Sequence, residues 1–394
     1  MSQTTSASLA PMDQHTAPGS RVGTRLRGWL TAGTSHLATL TALGGLLIFL
    51  AYAIGGWRVM ATSTPATGQA FSWLKPDSWS IALLQSGNSI LDVLGLAVAL
   101  YAAYGIARWP ALIPAFAGGM AAVTMGTGCL GGLAAGVLAG LLTRALQRIT
   151  VPDTWRSLTD RAVFPLLTAL LTAGVFFSAI VSPVLAWFTS WLNGKLTQYE
   201  LTGHHLLLGL VLGLLVCCDL GGALYKIAYG YALVGIEEFT PTPAHLTFMA
   251  VVMAAGMVPT MGLSLASAVR GKLFTPAERG YGKVAWMLGL VAVPEGVIPF
   301  AVRDPLRVIP ASMAGGAVTG VLTVAFGAGI SVPHAGFLAF SQIDKPLLFA
   351  AAIAAGTLVT AGVAIALKSL TRAEVPATAN TPTLKAHKKV LAAN

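Results

Sequence analysis

Long apolar runs alternate along this chain with short polar connections. Thr34–Gly56, Ser80–Ala107, Val163–Leu192, Leu246–Val269 and Leu347–Leu367 are the clearest of them. Each holds about twenty or more mostly apolar residues, enough for a helix to cross about 30 Å of hydrocarbon. A soluble domain could not hide that much apolar surface around one core. The pattern predicts an all-α polytopic membrane protein with about 8–10 transmembrane helices plus re-entrant hairpins.

Composition agrees with the pattern. Of 394 residues, 55% are hydrophobic and 10% charged, against roughly 25% charged in an average soluble domain. The net charge is +10, but the basic residues sit in short connections. They group as Arg21–Arg27, Arg144–Arg161, Arg270–Lys283, and Lys368 with Arg372, Lys385, Lys388 and Lys389. Nucleic-acid binding needs a solvated basic face; this placement is the positive-inside pattern instead. It puts both termini, Arg108, Arg144–Arg161 and Arg270–Lys283 in the cytoplasm, and no nucleic-acid partner is expected. Met1–Gly28 is polar and carries no cleavable signal peptide, so residues 1–28 and 371–394 read as cytoplasmic tails. Cys129, Cys217 and Cys218 lie in apolar stretches without CxxC or Cys/His spacing. They read as buried structural thiols, and neither a metal nor a cofactor is expected.

Charge parity exposes irregular segments. Ala111–Leu146 begins beside Arg108 and ends at Arg144, so both its ends face one side; it must make a hairpin or a re-entrant excursion, with Gly126–Gly128 as its turn. Between Val163–Leu192 and the loop at Arg270, one crossing is needed but two apolar blocks are present. The first, Gly203–Ile236, is broken by Asp219, Gly221, Gly222 and Lys226 and reads as a hairpin or as two half-helices. Val284–Val302, with Pro294, Glu295, Gly296 and Pro299, reads as re-entrant. Irregular backbone survives at membrane depth only where protein or a water-filled cavity satisfies it, which makes such breaks the first place to seek a substrate site. The stripe Gly128, Gly132, Gly136 and Gly140 reads as close helix packing.

Ionisable residues within spans cost roughly 2.5–3.5 kcal/mol on insertion scales and mark function by default. Asp219 and Lys226 read either as a self-neutralising pair or as part of a sugar or ion site. Glu295, flanked by helix breakers, is the strongest single candidate, because a carboxylate accepts several hydroxyl hydrogen bonds. Arg303, Asp304 and Arg307 read as an edge anchor or as a cationic rim suited to phosphate. His334, in Pro333-His334-Ala335-Gly336, reads as a packing residue or a site residue.

In this order the motifs resemble the membrane (IIC) domain of fructose-type phosphotransferase permeases. The matching stretches are DLGGALYKIAY at Asp219–Tyr229, MAAGMVPTMG at Met253–Gly262, PEGVIPFAVRDPLRVIP at Pro294–Pro310 and PHAG at Pro333–Gly336. Ala223 and Tyr225 stand where the family carries Pro and Asn, and Pro294 where it carries Thr. The resemblance implies a fructose-like sugar substrate, contacted by Asp219, Lys226, Glu295, Gly296 and His334. Glu295 or His334 would act as base, and Arg303, Asp304 and Arg307 would face the phosphoryl donor. It further implies cytoplasmic IIA and IIB partners on separate chains and a lipid-embedded homodimer in the bacterial inner membrane. Residues 29–200 would form a scaffold and 201–370 a mobile transport half. A phosphotransferase-independent facilitator or secondary transporter, and a non-transporting sensor, are the alternatives.

Overall fold

The computed structural model describes residues 34–56, 59, 72–237, 241–333 and 336–370. The predicted tails, 1–28 and 371–394, lie outside them, as does His334. Among the described residues the chain is helical, with an isolated bridge between Ile330 and Ile343.

Helix α1 is Thr34–Gly55, and α2 (Pro76–Asp92) and α3 (Leu94–Ala107) form one rod, Pro76–Ala107, jointed at Val93. Helices α4 (Leu112–Thr124) and α5 (Gly128–Leu146) are the predicted hairpin. It turns at Met125–Thr127, and α5 packs back along α3. A methyl group at Gly132 or Gly136 would collide with the α3 backbone, so the glycine stripe is a packing device.

Helix α6, Thr154–Leu201, corrects the expected Val163–Leu192. Its 48 residues extend for about 72 Å at 1.5 Å per residue, far more than one hydrocarbon thickness. The polar residues that seemed to end the span are carried on the same helix, which has π-helical turns at Thr159–Val163 and Leu170–Val181.

Helices α7 (His205–Cys218) and α8 (Ala223–Glu237) are the two predicted half-helices, broken at 219–222. Helix α9, Pro243–Val269, begins with Thr242 capping the His245 N–H and with Pro243, whose missing N–H costs nothing in a first turn. Helix α10, Pro276–Leu290, begins the same way with a Thr275–Glu278 capping box. After single turns at Pro294–Val297 and Ile298–Ala301 come α11 (Pro305–Phe326) and α12 (Pro346–Leu370). Seven helical stretches among the described residues are long and apolar enough to cross a membrane, and α4, α7 and α8 are shorter apolar helices. The protein is a multi-pass, all-α membrane protein.

Helix α9 is the axis of the second half. It is apolar all round, buried along nearly its whole length, and packed by α7, α8, α10, α11 and α12. Helices α1–α6 pack mainly on one another, and α1 reaches across to α10 and to the Ile298–Ala301 turn. The start of α10, the start of α11 and the end of α12 share one end of the molecule. There Lys368 Nζ lies 3.2 Å from Asp304 and 4.0 Å from Glu278. Pro276–Asp304 therefore enters and leaves by the same end, which makes it re-entrant.

Candidate functional site at the hairpin tips

The α4–α5 hairpin starts from the Arg-rich end of the rod and the α7–α8 hairpin from the opposite end. Their tips meet inside the protein: a methyl group at Gly128 would lie 2.7 Å from the Gly222 Cα, and one at Gly126 would lie 2.8 Å from Lys226 Cδ. The re-entrant segment brings Glu295 onto the same spot. Gly221, at φ +97°, lets the carboxylate lie over the backbone, where an added methyl would be 2.7 Å from its carboxyl carbon.

The backbone around the site is strained. Among the described residues the non-glycine positions with positive φ are Arg108, Leu220 and Ala292. The last two flank the hairpin tip and the Glu295 turn. Such conformations cost on the order of 1–3 kcal/mol each and persist where surrounding structure holds them. Tyr281 supplies part of that support, its hydroxyl donating to the Gly296 carbonyl at 2.7 Å. Gly336 packs against Leu290–Ala292, close to the turn.

Two cavities meet at Glu295. One of about 30 Å³ is lined by Asp92, Cys129, Gly221, Lys226 and Glu295. The other, of about 280 Å³, is lined by Tyr52, Asn88, Asp92, Tyr225 and Glu295. The first has room for little more than water, whereas the second approaches the range of about 300–1,000 Å³ typical of small-ligand sites. Glu295 and Lys226 have no ion-pair partner within 4 Å among the described residues. Their unused hydrogen-bonding capacity faces the cavities.

The sequence-derived candidates separate in space. Asp219, Lys226, Glu295 and Gly296 come together. Asp219 is committed to structure, since its oxygens accept the Leu224 N–H and, at 3.1 Å, the Tyr225 N–H, capping α8. Arg303, Asp304 and Arg307 form another cluster at the Arg-rich end. Arg307 contacts Asp304 at 2.7 Å, Lys368 joins them, and Arg303 donates to the Thr275 hydroxyl. Between the two groups lies an aromatic plug of Tyr281, Phe300 and Phe274, all buried.

Sequence reasoning missed Asp92 and Asn88. Asp92 is a charge inside an apolar span, so the rule that singled out Glu295 applied to it as well.

Comparison with known proteins places the sequence in a family. The family model described as phosphotransferase system, EIIC matches residues 39–315. The chain belongs to the EIIC family. The fructose-like permease IIC component 2 of Escherichia coli strain K12 is 31% identical over 349 residues, 88% of this chain and 91% of that protein. A fructose-specific EIIC component of Haloferax volcanii is 30% identical over 360 residues, 86% of this chain and 91% of its own length. The E. coli fructose-specific EIIB'BC component is 36% identical over 360 residues, and this EIIC chain spans 59% of it. Relatives of that kind join the membrane unit to B-type components in one chain.

Proposed function

We propose that this EIIC chain translocates fructose and presents it for phosphorylation by a separate phospho-IIB. The observation that carries the reading is the position of Glu295. It is a carboxylate with no ion-pair partner among the described residues, at the meeting point of two hairpin tips and a re-entrant turn, beside a cavity of about 280 Å³. In that cavity Glu295, Asp92 and Asn88 accept or donate to sugar hydroxyls. Tyr225, where the family resemblance places Asn, supplies a ring and a phenol that reshape the pocket. Lys226 lines the small cavity together with the acid.

Asp92 and Asn88 belong to α2, in the proposed scaffold of residues 29–200, and Glu295 to the proposed transport half of 201–370. The site lies on their seam, so displacement of one half against the other changes its access, as an elevator would. The aromatic plug separates Glu295 from the Arg-rich end in this conformation, and transfer requires the plug to part. Glu295, or His334, then takes the proton of the attacking hydroxyl as the new O–P bond forms and the bond to the IIB cysteine sulfur breaks. Such transfer depends on positioning and charge more than on covalent help. Arg303 and Arg307 stand at the proposed cytoplasmic face, with Asp304 orienting Arg307. Both termini lie on that face, and the protein works as a homodimer in lipid.

The deciding experiment is uptake of labelled fructose into membrane vesicles with and without phosphorylated IIB. Accumulation of fructose phosphate only when phospho-IIB is present is expected. Uptake independent of phosphate would make the chain a facilitator, and no flux would make it a sensor. Orientation is read by Lys272→Cys, expected to react with an impermeant thiol reagent only from the cytoplasmic side.

A further inference from the structure

A cavity of about 700 Å³ is separate from the pocket assigned above. It runs between α6 and α8 and ends at Gly126 and Lys226, the residues that also line the small cavity beside Glu295. One wall is a polar stripe on α6: Thr189, Asn193, Thr197 and Glu200. Steps of four, four and three place them on a single helix face. The outward positions Val184, Trp187 and Trp191 on the same stretch are exposed and apolar. This part of α6 is therefore apolar toward its surroundings and polar toward the protein.

Where such a stripe lies at membrane depth, it is costly unless it lines water or a ligand. Asn193 lines the cavity, and its buried Oδ1 has no hydrogen-bond partner among the described residues, so a small turn of the amide offers an unused acceptor to a donor in the cavity. At the rim Glu200 is already engaged. It accepts from the Tyr231 hydroxyl and lies 3.0 Å from His245 Nε2, tying α6 to α8 and α9. The rim is the end remote from the Arg-rich loops.

We propose that this cavity is an outer sugar-binding subsite, where Asn193 and its stripe hold the hydroxyls of incoming fructose before it passes Lys226 to reach Glu295. The Glu200–Tyr231–His245 cluster bridges the two halves at its mouth and sets how wide the mouth opens. The inference rests on the sugar-transport reading but not on Glu295 being the deep ligand.

Val234 lines the cavity without belonging to the stripe, and it serves as reporter. Val234→Cys, measured as the increment over the unaltered chain, should react with a membrane-impermeant maleimide added from outside. Fructose should slow that reaction at least fivefold. The same protection should persist in Val234→Cys/Glu295→Gln, with the half-protecting concentration within threefold. Adding Asn193→Leu to Val234→Cys alone should abolish the protection, and in uptake Asn193→Leu by itself should raise KM about tenfold with Vmax within twofold. Reaction with a membrane-soluble maleimide alone would make the cavity a lipid crevice and overturn the proposal. Reaction unaffected by fructose would overturn it too. Protection lost together with Glu295 would place the only sugar at the deep site, with the same result. Unaltered fructose affinity in Glu295→Gln would remove the deep-site reading while leaving this readout intact.

Discussion

Glu295 and Asp304 belong to one sequence motif, but the protein surrounds them differently. Asp304 is held by Arg307 at 2.7 Å and Lys368 at 3.2 Å, with Glu278 adding a second acid to Lys368. Its neighbours answer its charge, and three segments distant in sequence are tied together there. Glu295 has no ion-pair partner among the described residues. It opens on two cavities, and strained backbone lies close by at Leu220 and Ala292. Charges that neutralise one another hold a fold together. A charge left facing a cavity is reserved for what enters it.

The sharpest way to break that contrast is Glu295→Gln. Hydrogen bonds to a charged acceptor contribute about 1.5–3 kcal/mol each, so fructose affinity should fall roughly 10- to 150-fold at about 1.4 kcal/mol per decade. The thermal stability of the sugar-free protein should hardly change. Calorimetry on the purified variant measures the first and a melting curve the second. Near-unaltered affinity would place Glu295 with Asp304 as a structural charge.

Asp304→Asn should do the reverse. Removing one partner from a buried pair costs about 3–5 kcal/mol; with Arg307 28% exposed, solvent takes up part of that, leaving about 2 kcal/mol. The melting temperature should drop by several degrees while fructose affinity stays within twofold. A large affinity loss without destabilisation would move this cluster into the sugar site.

Gly221→Ala sharpens the picture of how the site is built. An alanine at φ +97° is strained, and its methyl would press on Glu295. The cost of about 1 kcal/mol or more for αL backbone should appear as at least a fivefold weaker affinity. Unchanged binding would mean that the tip and the acid do not need their close approach.

The smallest effect is expected from Arg307→Gln. It leaves Lys368 on Asp304, so fructose binding should hold while the rate of fructose phosphorylation by phospho-IIB falls two- to threefold. Equal loss of binding and phosphorylation would make Arg307 purely structural.

Much of this was legible in the chain because membranes impose simple rules. Charge parity located both hairpins and the re-entrant turn, since an odd or even number of crossings is forced once the basic loops are fixed. Helix breakers at Asp219–Gly222 and Pro294–Pro299 marked the places where backbone leaves the helix. Length was harder: Asn193 and Glu200 looked like the end of a span, yet α6 continues through Leu201, with both residues lining the cavity beside α8. Asp219 looked like a ligand, yet its oxygens cap α8, a local role that composition does not distinguish from binding.

By itself the sequence determined the membrane class, the irregular segments and the family, because hydropathy, basic loops and motif order are properties of a linear chain. The tertiary structure decided which charges meet. Asp304 reaches Lys368 from a distant helix, and Asn88 and Asp92 of α2 line the same cavity as Glu295. Lys226 comes to line both the small cavity beside Glu295 and the larger one along α6 because two hairpins from opposite ends meet tip to tip. Partnership in a membrane interior is set by packing in three dimensions, and packing decides whether an ionisable side chain is neutralised or left for a ligand.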